Sequence, residues 1–297
     1  MISIIIPVKK KTKYLKECLE NISKLEYADF EVLVMSDAET GDVAPGKKRN
    51  MGADRAQGEI FAFIDDDAYP RADWLTSAMK CFEDPGISAV CGPGVTPDSD
   101  SFLSQVSGAV YLSYASGANP DRFYPGNKKE VDDWPSMNFL IRKNDFLSVG
   151  GFNEKYYPGE DSVLCNNLFK AGKKMIYSPD VLVYHHRRDS LVRHLVQVGN
   201  HKRGLFARMY PENSRKIKYF LPSLFLLFVV FGWLLVYISP VLYISLWILY
   251  GLTLLVAIIE ILLKIKKLGV SLACLIYIPL THLWYGWGFI RGLLFKK

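Results

Sequence analysis

The sequence predicts an α/β domain with a mostly parallel sheet, followed by a separate α-helical membrane domain. Three observations predict it. β-branched runs alternate with helix-period segments through the first two thirds of the chain. An acidic triplet, Asp65-Asp66-Asp67, closes one of those runs. Residues 219–290 are almost uncharged, with Glu260 as the only acid.

The elements follow in order. Ser3–Val8 is a β-branched run containing Pro7. Lys9-Lys10-Lys11 comes after this apolar run, the reverse of a secretory signal, so a buried strand is expected and no targeting segment. Lys13–Leu25 carries Leu15, Leu19, Ile22 and Leu25 at helical spacing. Phe30–Met35 reads as a second strand, Lys47–Gln57 as a helix ending near Gly58, and Glu59–Ile64 as a third strand. Trp74–Phe82 reads as a helix and Ile87–Cys91 as a fourth strand. This alternation implies βαβ units. Gly92–Trp134 is rich in Gly, Pro, Ser and Asp, and is expected to be a functional, partly mobile segment. Gly159-Glu160-Asp161 opens a helix over Ser162–Lys170, and Asp180–Tyr184 is strand-like.

Tyr219–Ile238, Val241–Leu263 and Val270–Ile290 each have the length to span a bilayer core of roughly 30 Å. Arg215, Lys216 and Lys218 precede the first span, and Lys264, Lys266 and Lys267 follow the second. The positive-inside rule makes these two a hairpin with both ends cytoplasmic. The third segment stays open between a crossing and a tilted, re-entrant or in-plane helix. Its tail (Arg291, Lys296, Lys297) prefers the cytoplasm, and His282, Trp284, Tyr285 and Trp287 look interfacial. The expected domains are 1–215 and 216–297.

Composition narrows the function. The 297 residues carry 36 Lys+Arg against 30 Asp+Glu, a net charge of +6. That mild excess argues against a nucleic-acid binder and fits an anionic membrane face with a negatively charged substrate. Half the chain is hydrophobic and 22% is charged, so global disorder is excluded. The five cysteines show no CxxC spacing, which argues against a zinc or disulfide scaffold and for a reducing compartment.

The chemistry sits in the acidic cluster. Three adjacent carboxylates at a strand end repel one another, and a divalent cation relieves the cost. Hard oxygen ligands suit Mg²⁺ or Mn²⁺. Alternate residues of an extended strand point the same way, so Asp65 and Asp67 can converge on one ion. The carboxyl ends of parallel strands are also where open α/β sheets bind ligands.

Taken together, these motifs resemble a family 2 glycosyltransferase with the GT-A, Rossmann-like fold for nucleotide-diphospho-sugars. The resemblance covers roughly residues 2–210. It rests on Ser-Ile-Ile-Ile-Pro-Val at 3–8, Phe-Glu-Val-Leu-Val-Met-Ser-Asp at 30–37 and Lys-Lys-Arg-Asn-Met-Gly at 47–52. It continues through Ala-Gln-Gly-Glu-Ile-Phe-Ala-Phe-Ile-Asp-Asp-Asp at 56–67, Gly-Gly-Phe-Asn-Glu at 150–154 and Gly-Glu-Asp-Ser-Val-Leu at 159–164.

The resemblance implies roles. Pro7 and Val8 would line the nucleotide base pocket, and Asp37 would bond the base or ribose. Arg49 would lie near the nucleotide or its diphosphate; read alone, Lys48 and Arg49 suggest a solvated helix face. Asp65 and Asp67 match the metal-binding DxD, with Asp66 between them beside the nucleotide sugar. His185 would complete the metal site, or belong to a basic surface turn. Asp161 is the match for the general base of an inverting transfer, with Glu160 beside it as a supporting or acceptor contact; read alone, the pair is N-terminal helix charge that favours the dipole. Asn138 would lie near acceptor and donor sugar, or cap a strand. Trp134 would stack on a sugar, or belong to the core. Arg203, in Gln-Val-Gly-Asn-His-Lys-Arg-Gly, resembles an acceptor and diphosphate motif of processive members, with Gly204 where their tryptophan stands.

The implied function is metal-dependent (Mg²⁺ or Mn²⁺) transfer of a sugar from a nucleotide sugar to a lipid-linked or membrane-borne saccharide. The expected location is a multi-pass seat in the cell membrane with the catalytic domain cytoplasmic. Two rivals use the same acids. One is a nucleotidyltransferase, which would show a Gly-rich phosphate loop where Lys9-Lys10-Lys11 stands. The other is a non-catalytic, membrane-anchored sugar-nucleotide-binding subunit.

Overall fold

A computed structural model describes residues 1–116, 119–199, 202–209 and 219–295. The chain runs β1 (Ile2–Pro7), α1 (Lys13–Ile22), β2 (Phe30–Met35), α2 (Asp37–Thr40), α3 (Pro45–Arg55), β3 (Ile60–Ile64), β4 (Ala68–Pro70), α4 (Trp74–Phe82), β5 (Ile87–Cys91) and β6 (Gly94–Val95). It continues with α5 (Phe102–Ala109), β7 (Lys129–Glu130), β8 (Asn138–Arg142), α6 (Lys143–Ser148), α7 (Glu160–Lys170), β9 (Lys174–Tyr177), β10 (Val183–His185), α8 (Leu191–Val198) and α9 (Lys202–Met209). It ends with α10 (Leu221–Phe231), α11 (Pro240–Ile265) and α12 (Leu268–Leu294). Two compact units result: Met1–Pro97 with Asp121–His186, and Asp98–Pro120 with Arg187–Lys297. The expected boundary at 215/216 lies outside the described residues, as do Arg215, Lys216, Lys218, Lys296 and Lys297.

The first unit is built on a seven-stranded sheet, ordered β2-β1-β3-β8-β5-β9-β7. β1 pairs in parallel with β2 and β3, and β5 with β9. Five of the seven strands run in one sense, as the mostly parallel reading expects, and two run against them. β8 runs antiparallel between β3 and β5, and β7 antiparallel to β9. Both faces are covered. Ile2, Ile4, Ile6 and Ile60, Ala62, Ile64 pack with α1 and α4 residues such as Leu15, Ile22, Trp74 and Leu75. Ile5, Phe61 and Phe63 face the other way, toward Ala53 of α3, Phe146 of α6 and Leu164, Leu168 of α7. β1 and β3 therefore read as continuous apolar runs rather than alternating ones.

A second sheet, β4-β10-β6, has three strands. Within Gly92–Trp134, expected to be irregular, the chain forms β6, α5, two short 3-10 turns and β7. Its stretch 98–120 belongs to the second unit. There Lys267 Nζ donates to Asp98 Oδ1 at 2.7 Å and to Gln105 Oε1 at 2.8 Å. Buried His194 sits between Ser107 Oγ (2.9 Å) and Thr281 Oγ1 (2.8 Å). α11 and α12, at 26 and 27 residues, are each long and apolar enough to cross a membrane. The first apolar stretch is shorter, an α-helix to Phe231 continued by a 3-10 turn over Gly232–Tyr237.

Candidate active site

The order β2-β1-β3 puts a topological switch beside β1, with the carboxyl ends of all three strands on one edge. Val8, Asp37 and Asp65 follow those ends. Pro7 and Val8 are buried. Lys48 reaches from α3 to donate to Val8 O at 2.7 Å and also to Asp37 Oδ1. Asp37 is thereby held in place, its side chain still about a quarter open at 24%.

The metal-ligand expectation falls on residues that the fold brings together. β10 pairs antiparallel with β4 in the register His185↔Ala68, and His186 N donates to Asp67 O at 3.0 Å. That register carries the His185 ring to the acidic turn. Asp65, Asp67 and His185 each offer one ligand atom, and these lie within 4.8 Å of one another. His185 Nε2 is 3.0 Å from Asp67 Oδ1. Two carboxylate oxygens and one imidazole nitrogen suit a borderline-to-hard divalent ion, so the donor set fits Mn²⁺ or Mg²⁺. Asp66, between them, is pushed up to about 6, by burial first and then by the charges of Asp67 and Asp65.

The second acidic pair lies on α7. Gly159 caps the helix with φ +113°, in the left-handed region that favours glycine, so Glu160 and Asp161 occupy the first turn. Glu160 is buried, and its Oε1 accepts from Arg49 Nη1 at 3.0 Å. Arg49 Nη2 donates to Asp65 Oδ1 at 2.6 Å. One guanidinium therefore joins the DxD turn to the α7 turn. Asp161 Oδ1 accepts from Ser162 N at 2.8 Å. The Asp161 carboxyl is pushed up to about 7, by burial first and then by Glu160 and Asp133. A carboxylate tuned to that range suits proton transfer near neutral pH.

Several expectations change. Lys48 and Arg49 are both buried at 3%, not on a solvated helix face. Small residues on the same helix, Gly46, Gly52 and Ala53, were the available signal, since they mark a helix pressed close to its neighbours. Asn138 is fully buried, with its polar atoms engaged. Its Oδ1 accepts from Trp74 Nε1 at 2.9 Å, and its Nδ2 donates to Pro93 O (3.1 Å) and Val181 O (2.7 Å). It is a strut of the β5–β8 end rather than an open sugar contact. Trp134 is core, donating from Nε1 to Gly92 O at 2.9 Å. Arg203 belongs to the second unit, where its guanidinium lies 4.1 Å from the Tyr219 ring centroid. Sequence reasoning missed Asp133, which accepts from Ser162 Oγ at 2.9 Å and pairs with Arg122.

The mixed α/β fold is GT-A-like, and it carries a candidate metal-ligand trio with a raised carboxyl on a helix turn. Residues 60–261 match the glycosyl transferase family group 2, and the chain belongs to that family. It is 31% identical over 148 residues to a pre-mycofactocin glycosyltransferase of Mycobacterium tuberculosis, across 50% of this chain and only 31% of that one. It is 23% identical over 331 residues to a protein of Methanococcus voltae, covering 99% and 97% of the two chains. That relative is named dolichyl N-acetyl-alpha-D-glucosaminyl phosphate 3-beta-D-2,3-diacetamido-2,3-dideoxy-beta-D-glucuronosyltransferase. The fold is that of a mannosyltransferase from Pyrobaculum calidifontis in complex with GDP-Man and Mn²⁺. The TM-score is 0.59 over 100% of this chain and 88% of that one, at 16% identity.

Proposed function

We propose that this chain is a divalent-metal-dependent, inverting hexosyltransferase that moves a sugar from a nucleotide sugar to a lipid-linked saccharide at the cytoplasmic membrane face. The observation that carries the reading is the joined pair of acidic turns, Asp65 and Asp67 with His185 on one side and Glu160 with Asp161 on the other. An inverting displacement needs both halves: a site for the leaving diphosphate and a base for the incoming hydroxyl. Asp161 takes the acceptor hydroxyl proton. The freed oxygen forms its bond to the anomeric carbon. The bond from that carbon to the donor phosphate breaks, and its electron pair leaves with the nucleoside diphosphate. When bound by Asp65, Asp67 and His185, a divalent ion would neutralise charge on that diphosphate. Asp37, held by Lys48, is the donor-side contact for base or ribose.

The acceptor reading rests on α11 and α12 and on the dolichyl-linked acceptor in the Methanococcus relative's name. Lys264, Lys266 and Lys267 at the α11–α12 turn support a cytoplasmic position for that end. The test is nucleoside diphosphate release by the full-length protein. It uses a panel of nucleotide sugars with Mn²⁺, Mg²⁺ or EDTA, with and without polyprenyl-phosphate saccharides. Metal-dependent release with one donor, raised at least tenfold by the lipid, is expected. Equal release with a soluble sugar acceptor would refute the lipid reading. Pyrophosphate as the product would refute glycosyl transfer.

A further inference from the structure

Arg49 holds a charge that the chemistry above does not consume. Its side chain is 4% exposed, and Nη2 and Nη1 each meet a carboxylate, Asp65 and Glu160 respectively. The face of Phe152 lies 5.4 Å from the guanidinium carbon. Its Nε is buried and has no hydrogen-bond partner among the described residues. A guanidinium that clamps phosphate has to present its fork to the cleft. This one is turned inward and already engaged. α3 and Glu160 are also in close approach: a Cβ on Gly46 would stand 2.9 Å from Glu160 Cγ.

We propose that Arg49 is a positioning residue, which locks the metal-side carboxylate Asp65 and the first turn of α7 into one geometry. The inference rests on the reading of Asp161 as base, because α7 is the element that carries Asp161. It makes Glu160 the counter-charge of Arg49 rather than an acceptor contact. Lysine replaces Arg49 poorly, because a compact ammonium does not fix the relative orientation of two carboxylates as a planar fork does.

The experiment compares wild type, Arg49→Lys and Arg49→Gln in the full-length chain. Hydrogen exchange of the metal-free protein is read first and needs no turnover. Arg49→Lys should raise exchange over residues 159–163 about tenfold and leave β1 unchanged; unaltered exchange there overturns the proposal. Mn²⁺ affinity, read by electron paramagnetic resonance on the protein alone, should fall about tenfold as Asp65 loses its lock, and unchanged affinity overturns that half of the proposal. In turnover, kcat should fall about 100-fold with the donor KM within about threefold. A donor KM raised tenfold at unchanged kcat would make Arg49 a donor ligand and overturn the proposal. Unchanged kcat at unchanged KM would reduce Arg49 to charge balance and overturn it too. If Arg49→Gln does not fold, Arg49→Gln with Glu160→Gln removes both charges. Recovery of Tm with kcat still depressed supports positioning, and recovery of both overturns it. An inactive wild type would fail the glycosyltransferase reading, while the exchange result still decides the role of Arg49.

Discussion

Replacing Asp161 by asparagine tests the base directly. The change is close to isosteric, and the side-chain amide oxygen can still accept from Ser162 N as Oδ1 of Asp161 does, so the α7 turn should survive. General-base removal costs about 10² to 10⁴ in rate, or about 3 to 5 kcal/mol of transition-state stabilisation. The pH profile adds a second signature. With the Asp161 carboxyl at about 7, about a tenth is ionised at pH 6 and about nine tenths at pH 8. Wild-type kcat/KM should therefore climb about tenfold between pH 6 and pH 8, rising with pH because the ionised carboxylate is the active form. The assay is the initial rate of nucleoside diphosphate release at saturating Mn²⁺ from pH 5.5 to 8.5. Saturating metal matters, because Asp66 also sits high, at about 6, in the metal-free site. Asp161→Asn should lower the rate and flatten the profile. A variant that keeps the wild-type limb at reduced height would assign that limb to another group. A variant with more than a tenth of wild-type activity would end the base reading.

Asp67→Ala removes one ligand and the acceptor 3.0 Å from His185 Nε2; Mn²⁺ affinity should fall at least about 100-fold, and EDTA should abolish wild-type turnover, both read by titration. Asn138→Ala strips partners from Trp74 Nε1 and Val181 O, while Pro93 O keeps its bond from Val183 N; at about 1 to 3 kcal/mol for each of the two groups left unpaired, less what relaxation recovers, the loss should be about 2 to 4 kcal/mol, seen as a lowered urea midpoint. Gly46→Ala drives a methyl to 2.9 Å from Glu160 Cγ; about 1 to 3 kcal/mol of destabilisation is expected by thermal melting, with activity lowered through displaced Glu160.

Much of the fold was legible because burial on both faces leaves an unbroken apolar signal. Phe30–Met35, Trp74–Phe82 and Ile87–Cys91 match the sequence reading residue for residue. β8 was not singled out: Asn138 at its start and Arg142 at its end break the run, and the direction of a strand is not written in its own residues. The candidate metal-ligand group was legible because two of its three residues are near neighbours in sequence. His185 was only one of two readings until the β4–β10 register placed it beside Asp67. Read alone, Arg49 suggested a solvated face, because helical periodicity reports which face is apolar, not whether a cation on it has buried partners. Those partners, Asp65 and Glu160, are 16 and 111 residues away.

The same separation explains why one arginine matters here. Asp65 is presented by a strand end and Glu160 by a helix start, and no backbone hydrogen bond is needed to relate them. Each acidic turn also has reason to move: the DxD turn is self-repelling, and the first turn of α7 starts from a left-handed glycine. A buried cation between them turns two unfavourable turns into one compensated unit, since each carboxylate lowers the cost of burying the guanidinium. The arrangement also separates the two duties of acidic side chains at this site. Asp65 and Glu160 balance Arg49, whereas Asp161, further from compensation and pushed up to about 7, keeps a proton affinity that chemistry near neutral pH can use.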